Sequence, residues 1–448
     1  MTQHSSHTHG FAFRLFVMGL QFWWLCLATP TAQAAQSSAQ LPQQPLQMLH
    51  TENGQWLRAD GSAIALKGAN LGNWLLPEFW MMGFPDDAVV NDQCTLEAVL
   101  DRRFGRDQRE RLLKIHRDNW ITQRDWDLLP RFGLNLVRVP FIWSLIEDEN
   151  NPGHLRADAW HYLDETIAEA EKRGMYVILD LHGAVGAQGT EHHSGCAGKN
   201  LFWSRSDYQE RTLWLWRQIS QRYKDRSAVA AYDLLNEPWG SSAEQLASVV
   251  KTLYAAVRSI DKQHIILLPD HPQGIGAYGK PLEQGMFNIA FETHPYPGFF
   301  GWGKSGDPQV HRNWLQCLPD GGGVCDWKAR MKNLGTALYI GEFQPWAEFE
   351  PELGGNVTRA SFDRYAQLGW ASSVWAYKKL SKAGGPAPVN WGLVTNARNS
   401  PLLEIDFEKS SLQTIEGFFR FFGSMEYEIN EPVMRKMNSG NGNILERF

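Results

Sequence analysis

The sequence contains few cysteines, and their spacing limits the kinds of site that the protein can hold. Only five occur in 448 residues, and no two of them form a Cys-x-x-Cys pair. The common zinc and thiol-redox sites use such pairs, so we expect no metal site and no cofactor. Positive charge is also not in excess, since the formal net charge is −6 and the pI is near 6.2. That balance gives no reason to expect nucleic acid as a partner.

The sequence also lacks an apolar run long enough to cross a membrane. The run at 15–28 is short for a span, and it lies between Arg14 and the small-residue pattern Ala32-Gln33-Ala34. This order is typical of a secretory signal peptide, with an uncleaved anchor as the alternative. We therefore expect a secreted or periplasmic monomer with a signal peptide at 1–34, a linker at 35–47 and a single domain at 48–448.

Four cysteines remain once the leader is set aside. An even number in an exported chain suggests up to two disulfides, for which three connectivities are open. We favour a bond between Cys317 and Cys325, because Pro319 and the glycines at 321–323 allow a tight loop. Cys94 and Cys196 would then join two loops that are distant in sequence.

Two apolar runs each lead to a glutamate. The run at 228–235 predicts a buried strand and leads to Glu237 and Pro238, and a second run at 337–341 leads to Glu342. Because proline steers the preceding residue away from helix, we expect Glu237 to be extended at the end of its strand. Two facing carboxylates could act on a glycosidic bond as acid/base and nucleophile. The alternative is that both glutamates are simply solvated where a strand meets a loop.

Strand and helix patterns alternate along most of the chain. This alternation predicts an α/β fold, a (β/α)8 TIM barrel, with a small N-terminal hairpin within 48–66 that could plug its bottom. The stretch after Leu268 is loop-like and has little periodicity. The predicted strands lie at 65–70, 134–140, 176–181, 230–236, 264–268, 288–293, 337–341 and 372–377, and the predicted helices at 121–132, 157–173, 208–223, 243–260, 327–334, 361–368 and 407–422.

The predicted strands end in residues that can carry charge, donate hydrogen bonds or stack. Functional residues of a parallel barrel gather at the C-terminal ends of its strands, so this convergence predicts a site there. The residues are Asn70, Arg138, His182, Asn236 with Glu237, Asp270 with His271, His294 with Tyr296, Glu342, and Trp375 with Tyr377.

Longer motifs around these residues follow one another in a specific order over 67–391. Together they resemble glycoside hydrolase family 5, the cellulase-type retaining β-glycosidases with a (β/α)8 barrel, and most closely its exo-β-1,3-glucanase branch. The motifs lie at 68–75, 120–140, 180–184, 236–238, 294–296, 340–343 and 374–378.

The resemblance implies retaining hydrolysis with Glu342 as nucleophile and Glu237 as acid/base. Arg138 and Tyr296 would hold Glu342, His294 would tune Glu237 or relay its proton, and Asn236 would bind the sugar 2-hydroxyl. His182 is expected to support the site or bind substrate. The expected substrate-binding residues are Trp375 as a floor under the sugar, Asn70, Trp74, Trp239 and Trp346.

The resemblance implies a β-linked oligo- or polysaccharide as substrate, with β-1,3-glucan favoured. Alternatives are β-1,4-glucan, mannan, a glycolipid glucoside, transglycosylation, or a barrel that binds carbohydrate without catalysis. The sequence departs from the branch at Val185, after Phe343, and at 77–117, which is a long first loop of its own. His192 and His193 have no clean metal-ligand spacing, so we interpret them as part of a loop.

Overall fold

The computed structural model describes residues 45–85, 88–270, 274–317, 322–385 and 390–439. The predicted signal peptide, the predicted linker up to residue 44, His271 and Pro319 lie outside these residues.

Eight parallel strands close into a barrel, which confirms the predicted (β/α)8 fold. A short antiparallel hairpin, β1 (Leu49–Glu52) and β2 (Gln55–Arg58), precedes it. The last barrel strand pairs with the first, so the barrel has no open edge. Its strands are β3 (Lys67–Asn70), β4 (Leu136–Ile142), β5 (Tyr176–Gly183), β6 (Val229–Asp233), β7 (Ile265–Pro269), β8 (Ile289–Thr293), β9 (Ala337–Ile340) and β10 (Ala371–Val374).

The hairpin covers the N-terminal end of the barrel, as predicted. Asn53 and Gly54 form its turn with φ of 50° and 80°, the left-handed backbone that two-residue hairpins favour. Trp56 is buried, and its indole N–H donates to the carbonyl of Leu338 at 3.0 Å. Leu49 and Trp56 pack against the apolar residues that fill the bottom of the barrel.

Helices surround the barrel, and several of them were not predicted. The sequence 77–117 is not merely a loop, because it contains α1 and most of α2. The prediction missed this helix because charged residues dominate α2 and obscure its buried side, which includes Leu112, Leu113 and Ile115. The helices are α1 (Gln93–Phe104), α2 (Arg106–Trp120), α3 (Gln123–Leu128), α4 (His161–Lys172), α5 (Ser206–Tyr223), α6 (Ala243–Ile260), α7 (Pro308–Leu315), α8 (Gly323–Leu334), α9 (Pro351–Gln367), α10 (Leu412–Ser424) and α11 (Glu431–Met437).

The connection between β7 and β8 is the exception to the βα repeat. Its described residues form two short 3-10 helices, Ile275–Tyr278 and Pro281–Gln284, in place of an α-helix. This agrees with the lack of periodicity after Leu268. Elsewhere, β11 (Val394–Asn396) and β12 (Tyr427–Ile429) form a small antiparallel pair.

Two disulfides form with the favoured connectivity. Cys317 bonds to Cys325 between α7 and α8, and Cys94 bonds to Cys196. The second bond fastens the start of α1 to the loop after β5, and Asp92 adds to it by accepting the N–H of Ala197 at 3.1 Å. Within the described part of the chain, no helix combines the length and apolarity that crossing a bilayer requires.

Candidate active site

The predicted polar residues meet at the C-terminal end of the barrel. Arg138 lies within β4 and His182 within β5. Asn70 is the last residue of β3. The others follow the ends of their strands by one to four residues, as Glu237 does after β6 and Trp375 does after β10. The site is therefore built partly on rigid strands and partly on the first turns of the loops.

Arg138 is the fully buried centre of this arrangement. One guanidinium nitrogen, Nη1, donates to Glu342 Oε1 at 3.0 Å and to Asn70 Oδ1 at 3.0 Å. The other, Nη2, donates to Asn236 Oδ1 at 2.8 Å. The planar fork of arginine thus fixes three side chains that come from three different strand ends.

Four carboxylates lie within ion-pair distance of Arg138. The distances are 3.1 Å to Asp180, 2.7 Å to Asp233, 3.2 Å to Glu292 and 3.0 Å to Glu342. Burial, with Glu292 beside it, holds the pKa of Asp233 well above its usual range. Burial also raises the pKa of Asp180, against the effect of Arg138. One cation is therefore shared by four acids, of which Asp180 and Asp233 retain protons above the pH at which free aspartates lose theirs.

Both oxygens of Glu342 accept a hydrogen bond. Arg138 occupies Oε1, and the hydroxyl of Tyr296 donates to Oε2 at 2.5 Å. Burial, with Glu342 and Glu237 nearby, raises the pKa of Tyr296 well above its usual value, so it remains a protonated donor. These two donors fix the orientation of the Glu342 carboxylate.

Glu237 is not extended, contrary to the sequence prediction. Its φ is 38°, in the left-handed region, and the N–H of Trp239 donates to its carbonyl at 2.8 Å across Pro238. Proline excludes the right-handed helical backbone at the preceding residue, but it does not select the extended one. A tight turn around Pro238 forms instead. Such a backbone costs about 1–3 kcal/mol in a residue other than glycine.

Two histidines lie against the carboxylate of Glu237. Nδ1 of His294 lies 2.8 Å from Oε1, and Nε2 of His193 lies 3.2 Å from Oε2. Burial would raise the pKa of Glu237, but His193, His294 and His182 together lower it to about 2. Burial would lower the pKa of His294, but Glu342, Glu237 and Glu292 hold it well above its usual value. The proton that Glu237 and His294 share thus resides on His294.

The two glutamates lie close together across the mouth of the barrel. Ligand atoms of Glu237, His294 and Glu342 all fall within 4.8 Å of one another. The same three side chains could hold a metal ion. A cation there would compete with Arg138 and Tyr296 for the oxygens of Glu342.

Comparison with known proteins shows the family of the chain. The sequence model of the cellulase family, glycosyl hydrolase family 5, matches residues 111–375. The chain belongs to glycosyl hydrolase family 5. It is therefore a glycoside hydrolase, and the resemblance drawn from the sequence motifs is confirmed.

Relatives of this family 5 hydrolase are named for several different activities. It is 29% identical to a beta-xylosidase from Phanerodontia chrysosporium over 72% of this chain and 69% of that protein. It is 33% identical to a probable glucan 1,3-beta-glucosidase A from Aspergillus fumigatus over 62% of this chain and 64% of the relative. A glucan 1,3-beta-glucosidase from Blumeria graminis is 31% identical over 52% of this chain and 56% of the relative. The chain thus spans little more than half of some relatives.

Solved structures agree on the fold. A rutinosidase from Aspergillus niger superposes with a TM-score of 0.58 at 17% identity, over 73% of this chain and 95% of that one. The cellulose synthase subunit Z of Clostridioides difficile superposes with a TM-score of 0.52 at 14% identity, over 84% of this chain and 100% of that one.

Two residues predicted to bind substrate lie in the interior of the hydrolase instead. Trp74 is 2% exposed, and its indole N–H donates to the carbonyl of Arg117 at 2.9 Å. Asn70 is fully buried and donates to the carbonyls of Gly341 and Val374 at 2.9 and 3.1 Å. The prediction is wrong for both, because a position near a strand end does not reveal whether the side chain points outward or under the site.

The other predicted aromatic residues divide between the site and the core. Trp375 stacks on His182 with 5.6 Å between ring centroids and 9° between planes, and it packs beside Tyr296. Trp239 is 51% exposed. Trp346 is buried and donates to the carbonyl of Asn390 at 3.0 Å. Trp375 and Trp239 are therefore the predicted aromatics that border the site.

The sequence reasoning also missed several site residues. His193 was interpreted as part of a loop, yet it lies against Glu237. Asp180 and Glu292 precede His182 and His294 by two positions. Residues two apart in a strand point to the same face, so this spacing could have placed both acids inside the barrel.

His182 shows how these acids support the site. Its Nδ1 lies 2.7 Å from Asp180 Oδ2, and its Nε2 lies 3.2 Å from the amide nitrogen of Asn236. Burial would lower the pKa of His182, but Asp180 raises it. His182 thus links a buried acid to Asn236 and to the indole ring of Trp375.

Proposed function

We propose that this enzyme is a retaining β-glycosidase that hydrolyses β-glucan, with β-1,3-linked chains favoured. Glu342 is the nucleophile and Glu237 is the acid/base. The observation that carries the proposal is the separation of at most 4.8 Å between ligand oxygens of the two glutamates. Retaining enzymes place their carboxyl groups about 5–5.5 Å apart, whereas inverting enzymes need about 6.5–9.5 Å to admit a water.

The first step transfers the sugar to Glu342. A carboxylate oxygen of Glu342 attacks the anomeric carbon, and the bond from that carbon to the leaving oxygen breaks. The electron pair goes to the leaving oxygen, which takes a proton from Glu237. The products of this step are the released alcohol or shortened glycan, a covalent glycosyl ester on Glu342, ionised Glu237, and His294 that has lost its proton through Glu237.

The second step returns the enzyme to its starting state. Water attacks the anomeric carbon as Glu237 accepts its proton, and the ester bond breaks to release Glu342 as a carboxylate. The anomeric configuration is inverted twice and so retained. A sugar hydroxyl that replaces water would give transglycosylation by the same steps.

The acid proton comes from the Glu237–His294 pair. With the pKa of Glu237 near 2 and that of His294 raised, the pair holds its proton on the imidazole before the reaction. The 2.8 Å contact between His294 Nδ1 and Glu237 Oε1 gives the proton a direct route. His294 gives its proton to Glu237, and Glu237 passes that proton to the leaving oxygen. The second step reverses both proton transfers.

The relatives support the choice of substrate. The 31% and 33% identities to glucan 1,3-beta-glucosidases favour β-1,3-glucan. A β-xyloside is the second candidate, because the alignment with the beta-xylosidase covers 72% of the chain. β-1,4-glucan, mannan and a glycolipid glucoside use the same chemistry and serve as comparison substrates.

We also propose that the protein is exported through residues 1–34 and works as a monomer. The two disulfides support export, because such bonds persist in oxidising compartments.

The experiment is hydrolysis by a chain that begins at residue 35, with the first-formed anomer followed by NMR. The panel holds β-1,3-, β-1,4- and mixed-linkage glucans, mannan, aryl β-xylosides and a glucosylated lipid. Activity on β-1,3-glucan with a β-anomer product supports the proposal. Activity on another substrate alone overturns the substrate assignment, and an α-anomer product overturns retention.

Three variants test the assigned roles. Glu342→Ala should abolish hydrolysis, and Glu237→Gln should spare only substrates with activated leaving groups. Glu210→Gln is the matched control, because Glu210 is an exposed glutamate on α5. Binding of glucan without hydrolysis by the wild-type protein would favour a non-catalytic carbohydrate-binding barrel.

A further inference from the structure

We infer that His193 is a positioning residue for acid catalysis, which lies against Oε2 of Glu237 and so fixes the orientation of the carboxylate that protonates the leaving oxygen of the substrate. The inference rests on the proposed function, and it assigns a role to a side chain outside the motifs that identified the family.

The geometry distinguishes the two oxygens of Glu237. Oε1 faces His294 at 2.8 Å, and that contact belongs to the proton relay. Oε2 faces His193 Nε2 at 3.2 Å. The proton of His294 arrives on Oε1, so Oε1 is also the oxygen that delivers it to the substrate. His193 lies against the other oxygen of the same carboxylate and can fix its rotation.

The loop that carries His193 is well anchored. Ser194 follows it in a short 3-10 turn and donates to the carbonyl of Glu191 at 2.7 Å. Cys196, three positions further along, is bonded to Cys94. An imidazole on this segment can hold a fixed position, as aiming a carboxylate requires.

Ring contacts restrict the imidazole further. The ring of His193 meets those of Trp239 and His182 edge to face, with centroids 5.8 and 6.0 Å apart. His192 lies beside it at 5.8 Å. The ring is therefore packed from three sides. Its buried Nε2, which has no hydrogen-bond partner among the described residues, lies 3.2 Å from Glu237 Oε2.

The charge state of His193 suits this role. Burial lowers its pKa, as do His182 and His192, while Glu237 and Glu78 act in the opposite direction. A neutral imidazole can accept a hydrogen bond from a protonated carboxyl group or, as the other tautomer, donate one to a carboxylate. It can therefore orient Glu237 in both protonation states. A fixed imidazolium would instead hold Glu237 in the ionised form.

The other groups around Glu237 do not replace His193. His294 holds the opposite oxygen, and His182 reaches Asp180 and Asn236. Glu342 faces Nδ1 of His294 and Glu292 faces its Nε2, so both add negative charge beside that imidazole. Removal of His193 would therefore leave Oε2 without its closest imidazole, while His294 would still hold Oε1.

If His193 positions Glu237, the effect of replacing His193 on the rate of hydrolysis should depend on the leaving group. A purely structural role would not produce this dependence. A 2,4-dinitrophenolate leaves without protonation, whereas the oxygen of a disaccharide requires it. If the carboxyl group of Glu237 is misoriented, only the hydrolysis of the disaccharide should become slower. General acid catalysis contributes about 10²–10⁴-fold, so we expect losing its orientation to cost tenfold or more.

The experiment measures kcat/KM and its pH profile for 2,4-dinitrophenyl β-glucoside and for the unactivated disaccharide laminaribiose. His193→Asn is too short to reach Oε2, whereas His193→Gln places a polar atom close to the position of Nε2. We expect His193→Asn to lose about tenfold or more on laminaribiose and less than about threefold on the aryl glucoside, with a displaced limb in its pH profile. His193→Gln should recover most of the loss.

Lys199→Ala is the control, because Lys199 is exposed on the same loop. Equal losses on both substrates, or no loss on either, would overturn the inference. So would a Gln variant no better than the Asn variant. Failure of the proposed function would be recognised by a different result, because the Glu342→Ala variant would then remain active whatever the activity of the His193 variants.

Discussion

Replacing Arg138 by methionine removes the cation that Asp180, Asp233, Glu292 and Glu342 share. The side chain is fully buried, and methionine fills a similar volume without charge. Removing one partner of a buried ion pair typically costs about 3–5 kcal/mol, because the remaining charge is left without compensation. We therefore expect the free energy of unfolding to fall by about that amount at neutral pH.

The sign of the pH dependence follows from the pKa shifts. The pKa values of Asp180 and Asp233 are raised in the folded protein even with Arg138 present. A group with a raised folded pKa stabilises the fold below its unfolded pKa and loses that contribution as the pH rises through the folded value. Without Arg138 these pKa values should rise further. The deficit of the variant should thus be larger at pH 8 than at pH 5.

The assay is urea unfolding followed by tryptophan fluorescence, with wild type, Arg138→Met and a double variant that adds Asp233→Asn. The double variant should recover part of the loss, since it removes one uncompensated acid. Arg205→Met is the control, because Arg205 pairs with Asp207 on the surface. An equal deficit at both pH values, or one below about 1 kcal/mol, would show that the acids do not depend on this cation.

Three further predictions concern the site and its surroundings. The raised pKa of His294 should place the alkaline limb of kcat/KM well above 6.5, the usual histidine value, and His294→Asn should remove that limb from the pH profile. Breaking the disulfide by replacing Cys94 and Cys196 with serine should lower kcat on unactivated substrates more than on aryl glucosides, as steady-state kinetics would show. Trp74→Phe should lower the melting temperature and leave KM unchanged, whereas Trp375→Phe should raise KM for oligosaccharides. A change in KM for the first, or none for the second, would contradict their placement.

The barrel could be predicted from the sequence because the alternation of strand and helix patterns is repeated along the chain. Most strands are short, buried and largely apolar runs, and the strand-end residues Arg138, His182 and Glu342 carry chemistry that a core seldom needs. The helices α1 and α2 escaped prediction because their exposed faces are densely charged and their buried faces are narrow.

The finer details of the site depend on contacts that no local pattern records. The turn at Glu237 combines the constraint from Pro238 with the placement of neighbouring loops. His193 meets Glu237 only because two loops, 44 positions apart in sequence, converge at one end of the barrel. Trp74 follows a strand as a platform residue would, but the unpredicted α2 supplies the carbonyl of Arg117 that holds it in the core.

The bond between Cys94 and Cys196 joins two loops of the hydrolase, so that neither loop can be exchanged without affecting the other. The segment at 77–117 supplies Asp92 and Cys94, and the loop after β5 supplies their partners together with His193. A graft of either loop alone into another family 5 scaffold would separate those partners. Attempts to alter the selectivity of this enzyme by exchanging loops should therefore move both segments together, as evolution would also have to do.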